Sequence, residues 1–240
     1  MKFLPFKVHP RLFAMLALSF VIATIIGTVS HELGHCSVAK ILGYDVELHY
    51  ASMTNSNYFE KHHLEAYYDK HIDKIMSKEP SVEKETFKNL YERGKIENLL
   101  IILGGPLQTI IVGSIGLMWL YYHRKKIMAK AELSVKEWFA VIVAFFWSRQ
   151  LSNLLSGMLS FISSRAFPKG GDESRISLYF GVPVSTVDVI TGMVSLALLL
   201  WVIFYIIPIN QRLSFILAGM AGSALGFVIW MQWIGPVVLP

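Results

Sequence analysis

Five apolar stretches, each long enough to cross a bilayer as a helix, constrain this chain more than any other feature: about Leu12 to Leu42, Ile96 to Tyr122, Trp138 to Ile162, Ser185 to Ile207 and Leu213 to Ile234. About 20 apolar residues cover the roughly 30 Å hydrocarbon core. In lipid every backbone N–H and C=O must be satisfied from within the protein, so such runs are expected as helices. Hydrophobic residues make up 54% of the 240 and charged residues 16%, with a mean hydropathy of +0.49, a balance foreign to a soluble domain of this size. The predicted fold is therefore an all-α polytopic protein with about five transmembrane helices, integral to a membrane. The first run is too long for one perpendicular crossing, at roughly 45 Å if unbroken. It must tilt, bend or partly leave the hydrocarbon, and Gly27, Thr28 and Ser30 mark the expected bend.

The formal charge of +5 does not point to nucleic acid, because many Lys and Arg lie in short segments flanking apolar runs, where they orient the chain. Nucleic acid is excluded as a partner, and the bilayer itself is the expected one. A single cysteine, Cys36, excludes an internal disulfide and sits about 100° around the helix from His35, as a spare apolar position. The basic start at Lys2, Lys7 and Arg11 followed by apolar residues resembles a signal peptide, but the run continues without a small-residue cleavage site.

Four parts follow: residues 1–43 as the first span, 44–95 as an extramembrane insertion, 96–184 as the second and third spans with the loop after them, and 185–240 as two C-terminal scaffold spans. In the insertion, Val46, Leu48 and Tyr50 alternate with Glu47 and His49, which predicts a short β-hairpin. Phe59 to Met76 fits an amphipathic helix with Leu64, Tyr68, Ile72, Ile75 and Met76 on one side. His62, His63 and His71 are interleaved with Lys61, Glu65, Asp69, Lys70 and Asp73, which reads as a solvated face rather than a second metal site. Near the C-terminus, Gly219, Gly222, Ser223 and Gly226 give a small-residue face for packing another helix, within the chain or in a second copy. Trp201, Trp230 and Trp233 lie towards span ends, where indole rings sit at the headgroup boundary.

The chemistry is concentrated at the end of the first run, where His31, Glu32, Leu33, Gly34 and His35 spell HELGH. Residues four apart share a helix face, so both imidazoles can hold one Zn²⁺ while Glu32 reaches the activated water as general base. Ionisable groups in a spanning segment cost roughly 2.5–3.5 kcal/mol each on insertion scales, so three together need a purpose. A third ligand is required. Ile41 stands where a metzincin has its third histidine, which removes that pattern. Glu60 and Glu65 lack distinguishing context. Asp172 is favoured because the first and third spans run the same way across the bilayer, which brings the segment after the third span to the HELGH end. Gly170 and Gly171 are expected to let the backbone approach the metal, and Glu173 is the alternative ligand. An acidic loop paired with Arg175 or Lys169 is the competing, purely structural explanation.

At this point the chain resembles the site-2 protease family of intramembrane zinc metalloproteases, through three ordered pieces within residues 12–180. They are HELGH; Gly104, Gly105, Pro106, Leu107, Gln108 and Thr109, similar to that family's Gly-Pro-Leu-Ala-Asn element; and Asn153, Leu154, Leu155 followed by Asp172, similar to its Asn-Leu-Leu-Pro and Asp-Gly. Ser156 stands where the proline is usual and Glu173 where the glycine is, and no segment is long enough for a PDZ domain. The resemblance implies one zinc on His31, His35 and Asp172, Glu32 as catalytic base, and Asn153 holding substrate or oxyanion, or else bonding between helices. It also implies a structural turn at Gly105 and Pro106 near the site, and a substrate peptide bond in or beside a membrane span. The substrate strand would pair with the hairpin. Two alternatives stand beside it: a zinc peptidase acting on signal-peptide remnants or membrane-anchored tails, and a non-enzymatic membrane scaffold. Self-association and an adaptor subunit are both open. Short-loop charges place the N-terminus inside and the site outwards, the resemblance favours a cytosolic site, and the orientation stays open.

Overall fold

The computed structural model describes residues 7–240; Lys2, one of the orienting charges, lies outside the described residues. The first helix, α1, runs Pro10–Ile41. Pro10 suits its first turn, where the missing N–H has no partner to lose. Its 32 residues make a helix of about 48 Å, uninterrupted through Gly27, Thr28 and Ser30. Thr24, Thr28 and Ser30 bond back to the carbonyls of Phe20, Thr24 and Gly27 at 2.8, 3.0 and 3.3 Å, so their hydroxyls are satisfied without opening the helix. Gly43, at φ +82°, turns the chain out of α1.

Two short antiparallel strands follow, β1 (Val46–Leu48) and β2 (Met53–Asn55), with Val46 opposite Asn55 and Leu48 opposite Met53. The helix expected over Phe59 to Met76 is divided into α2 (Tyr58–Lys61) and α3 (Leu64–Met76), because His63 takes a left-handed conformation at φ 49°. Leu64 and Ile75 are buried, whereas Ile72 and Met76 face outward.

The next helix, α4, spans Val82–Met128 and at 47 residues is about 70 Å long. It begins well before the apolar run at Ile96, with Ser81 capping Lys84 N at 3.2 Å. The last part of the polar insertion is thus the front of the second spanning helix. The third expected span is instead broken into α5 (Val135–Ala144), a 3₁₀ turn at Phe145–Trp147 and α6 (Ser148–Ser164). Packing explains the break. Phe145 sits 5.8 Å from Phe20 and 4.9 Å from Phe215, ring centre to ring centre, and Ser195 Oγ donates to the Trp147 carbonyl at 2.7 Å. Gly113 and Gly116 of α4 make room for this turn, since a Cβ on them would lie 2.6 Å from the Trp147 ring and 2.5 Å from Ala144 N.

The chain continues through α7 (Asp172–Tyr179), α8 (Thr186–Trp201), α9 (Ile209–Val228) and α10 (Gly235–Val238), with wider π turns extending α8 to Ile206 and joining α9 to α10. Among the described residues four helical runs are long and apolar enough to cross a membrane: Pro10–Ile41, Val82–Met128, Thr186–Ile206 and Ile209–Val238. The molecule is thus an α-helical membrane protein. α9 lies along α1 by its small residues, a Cβ on Gly222 reaching 2.4 Å from the Ala17 carbonyl oxygen. The largest apolar cluster, including Leu16, Phe20, Ile127, Trp138 and Phe215, joins the start of α1 to the end of α4 and the starts of α5 and α9. HELGH lies at the opposite end of α1.

Candidate metal centre

The site is built where α1 and α4 touch backbone to backbone. A Cβ on Gly34 would lie 2.5 Å from the Gly104 carbonyl oxygen, and a Cβ on Gly104 equally close to that of Gly34, so the glycine inside HELGH is there for close approach. One residue along, a Cβ on Gly105 would meet His35 Nε2 at 2.3 Å and His31 Nε2 at 2.5 Å. The absent side chain is the space in which the two ring nitrogens converge. Gly105 and Pro106 are accordingly not a turn: both are buried inside α4. Pro106 contributes no N–H, which leaves the α4 ladder one donor short beside the site.

Asp172, the first residue of α7, completes the centre. Its Oδ2 lies 3.0 Å from His31 Nε2 and 3.2 Å from His35 Nε2, and those nitrogens are 3.3 Å apart. His31, His35 and Asp172 are the one group among the described residues arranged to hold a metal ion. Tetrahedral bonds of about 2.0–2.1 Å set donors roughly 3.3 Å apart, so the three atoms have the spacing of one face of such a site.

The other ring nitrogens fix the tautomers. His35 Nδ1 is 2.7 Å from the Ile101 carbonyl oxygen and 3.3 Å from the Gly105 N; the shorter contact, to an oxygen that can only accept, puts the proton on Nδ1. His31 Nδ1 is 3.0 Å from Thr109 Oγ1, whose own hydrogen goes to the Gly105 carbonyl at 3.1 Å, so here too Nδ1 donates. Both Nε2 lone pairs then face each other and a carboxylate. Three acceptors at such spacing repel unless a cation lies between them, and the donor set therefore fits a bound metal.

The glycines before Asp172 have a smaller role than expected. Gly171 has an ordinary extended backbone at φ −76°, ψ 158°, and a Cβ on Gly170 would meet nothing within 4 Å. What brings Asp172 in is the packing of α7 on α4 through Leu99, Ile102 and Ile176. Glu173 points elsewhere: its Oε2 accepts from Asn153 Nδ2 at 3.1 Å, on α6. Glu60 and Glu65 are exposed on α2 and α3, and His62 lies 3.6 Å from Glu97 rather than at the site.

Glu32 is buried beside the centre and lines two cavities. One, of about 530 Å³, is polar and bounded by His35, the β2 residues Met53 and Asn55, Asp172 and Glu173. The other, of about 710 Å³, is mostly apolar and lies between α1, α6, α8 and α9, with Phe20, Leu199 and Phe227 on its walls. Glu32, Ala51, Arg149 and Asn153 line both. Sequence reasoning missed Arg149 and the bond from Thr109. Helical spacing held a clue to the second, since Thr109 lies one turn after Gly105 on the same face. No protein-family model, curated protein or solved structure matches this chain.

Proposed function

We propose that this protein is a membrane-embedded zinc metalloprotease that hydrolyses a peptide bond in or beside a membrane-spanning segment of another protein. The observation that carries the reading is the convergence of His31 Nε2, His35 Nε2 and Asp172 Oδ2, with both histidines held in the ligating tautomer and a buried glutamate next to them. Two nitrogens and one carboxylate oxygen with an open fourth direction suit Zn²⁺ in its catalytic form. Zinc held there supplies a Lewis acid that brings the pKa of a water down to roughly 7.

The chain's own groups account for the remaining work. Glu32 takes the proton of the attacking water and returns it to the departing amine. A substrate helix must be unwound before its carbonyls can be reached, since they are locked in the helix ladder. The meeting of an apolar and a polar cavity at Glu32 suits a segment that leaves the apolar region in extended form. Strand β2 beside the polar cavity offers backbone groups for pairing with it. Asn153, tied to Glu173 Oε2, borders the place where the scissile bond would lie.

A Glu32→Gln variant, reconstituted with a membrane-anchored peptide substrate, tests this. It is expected to keep its zinc and lose cleavage by at least about a hundredfold, the lower range for a lost acid–base group. Full cleavage by that variant would remove Glu32 as the base, and no cleavage by zinc-replete wild type would favour a scaffold.

A further inference from the structure

We propose that Arg149 is a further catalytic residue, its guanidinium donating hydrogen bonds to the scissile carbonyl oxygen as that oxygen becomes negative; this rests on the proteolytic reading above. Three observations carry it. Among the described residues the Arg149 side chain makes no hydrogen bond and has no carboxylate within 4.0 Å, although its Nε is shielded from solvent. A guanidinium placed this deeply is costly unless something compensates it. The carboxylates of Glu32, Asp172 and Glu173 are its charged neighbours, so it is drawn to the site without being consumed by an ion pair.

The second observation is position. Arg149 lies one helical turn before Asn153 on α6, and these two, with Glu32 and Ala51, are the residues at which the polar and apolar cavities meet. A peptide passing from one cavity to the other must cross this junction. The third is chemistry. The junction holds one proton acceptor, Glu32, and one permanently charged donor with N–H groups to spare, Arg149.

In the addition step the water oxygen bonds to the carbonyl carbon, the π pair moves onto the carbonyl oxygen, and the water's proton goes to Glu32. Arg149 stabilises the new negative charge without giving up a proton. In the second step the pair returns, the C–N bond breaks, and the nitrogen takes the proton from Glu32. The donor is already in place and charged throughout, so little reorganisation is needed.

The test compares full-length wild type, Arg149→Met and Arg149→Lys in proteoliposomes. It reads zinc content, the pH profile of cleavage of a membrane-anchored peptide with and without its side-chain carboxylates, and affinity for a phosphinate analogue of that peptide, which carries a tetrahedral anion. Arg149→Met is expected to keep its zinc, lose kcat by roughly 10²–10³-fold with KM little changed, and lose phosphinate affinity by a similar factor. In a Glu32→Gln background the same change should leave affinity for the intact peptide unaltered, and Arg149→Lys should recover part of kcat. The proposal is overturned by three results: kcat in Arg149→Met within about threefold of wild type; a loss confined to substrates bearing a carboxylate, which would make Arg149 a substrate anchor; or unchanged phosphinate affinity with a displaced pH profile, which would make it only a counter-ion to Glu32. No turnover in zinc-replete wild type removes the proteolytic reading and this proposal together, whereas turnover that survives Arg149→Met removes the proposal alone.

Discussion

Three side chains and one missing side chain define the centre. Gly105 matters because its Cβ position falls between the two Nε2 atoms, so Gly105→Ala is expected to abolish metal binding while leaving α4 helical. Retention of a full equivalent of zinc by Gly105→Ala, measured by atomic emission, would contradict this. Thr109 acts through His31, accepting the Nδ1 proton and passing its own to the Gly105 carbonyl. Thr109→Val preserves the shape and removes the acceptor, which should weaken zinc affinity by roughly 10–100-fold, the range for lost partners of metal-bound histidines. A chelator competition titration reads it, and an unchanged midpoint would mean that Thr109 does not orient the ring.

At the scale of elements, glycines set the distances. Gly34 with Gly104 fixes α1 against α4, and Gly222 fixes α9 against α1 at a Cβ distance of 2.4 Å from the Ala17 carbonyl. Gly222→Leu must push the two helices apart and should destabilise the fold by at least about 1–3 kcal/mol, the range for overpacking. A lowered melting temperature checks this, and an unchanged one would show that α9 does not rest on α1 there. Such contacts also explain what the sequence disclosed and what it withheld. HELGH and Asp172 were legible because helical spacing and the direction of successive spans are local rules, and the small-residue row at Gly219 to Gly226 was legible for the same reason. The break at Phe145–Trp147 and the helical placement of Gly105 and Pro106 were not, because each depends on partners distant in sequence: Phe215 and Ser195 for the first, the HELGH imidazoles for the second. Arg149 was hidden for a related reason, since only the folded chain shows that among the described residues no ion pair neutralises it.

On the scale of the whole molecule, the basic excess and the chemistry lie at opposite ends. Arg11 begins α1, Arg124, Lys125 and Lys126 close α4, Lys136 begins α5 and Arg212 begins α9, and these ends meet around one apolar cluster. The centre and the insertion occupy the other end, where residues 43–95 carry eight Lys or Arg against ten acids. Basic residues in short loops favour the cytoplasmic side, so the basic end is expected inside and the centre towards the outer face. Cysteine placed at Lys126 should be shielded from a membrane-impermeant thiol reagent in intact cells, and cysteine placed at Ser52 should be labelled. The reverse pattern would put the centre on the cytosolic side.

A metal held by His31, His35 and Asp172 would tie these scales together, joining the far end of α1 to the start of α7 across α4. Zinc per chain in wild type, His35→Ala, Asp172→Ala and Glu173→Ala is therefore the most direct measurement. About one zinc is expected in wild type and in Glu173→Ala, and its loss in the other two. Zinc retained by Asp172→Ala would contradict the ligand set, and zinc absent from wild type would contradict the centre itself.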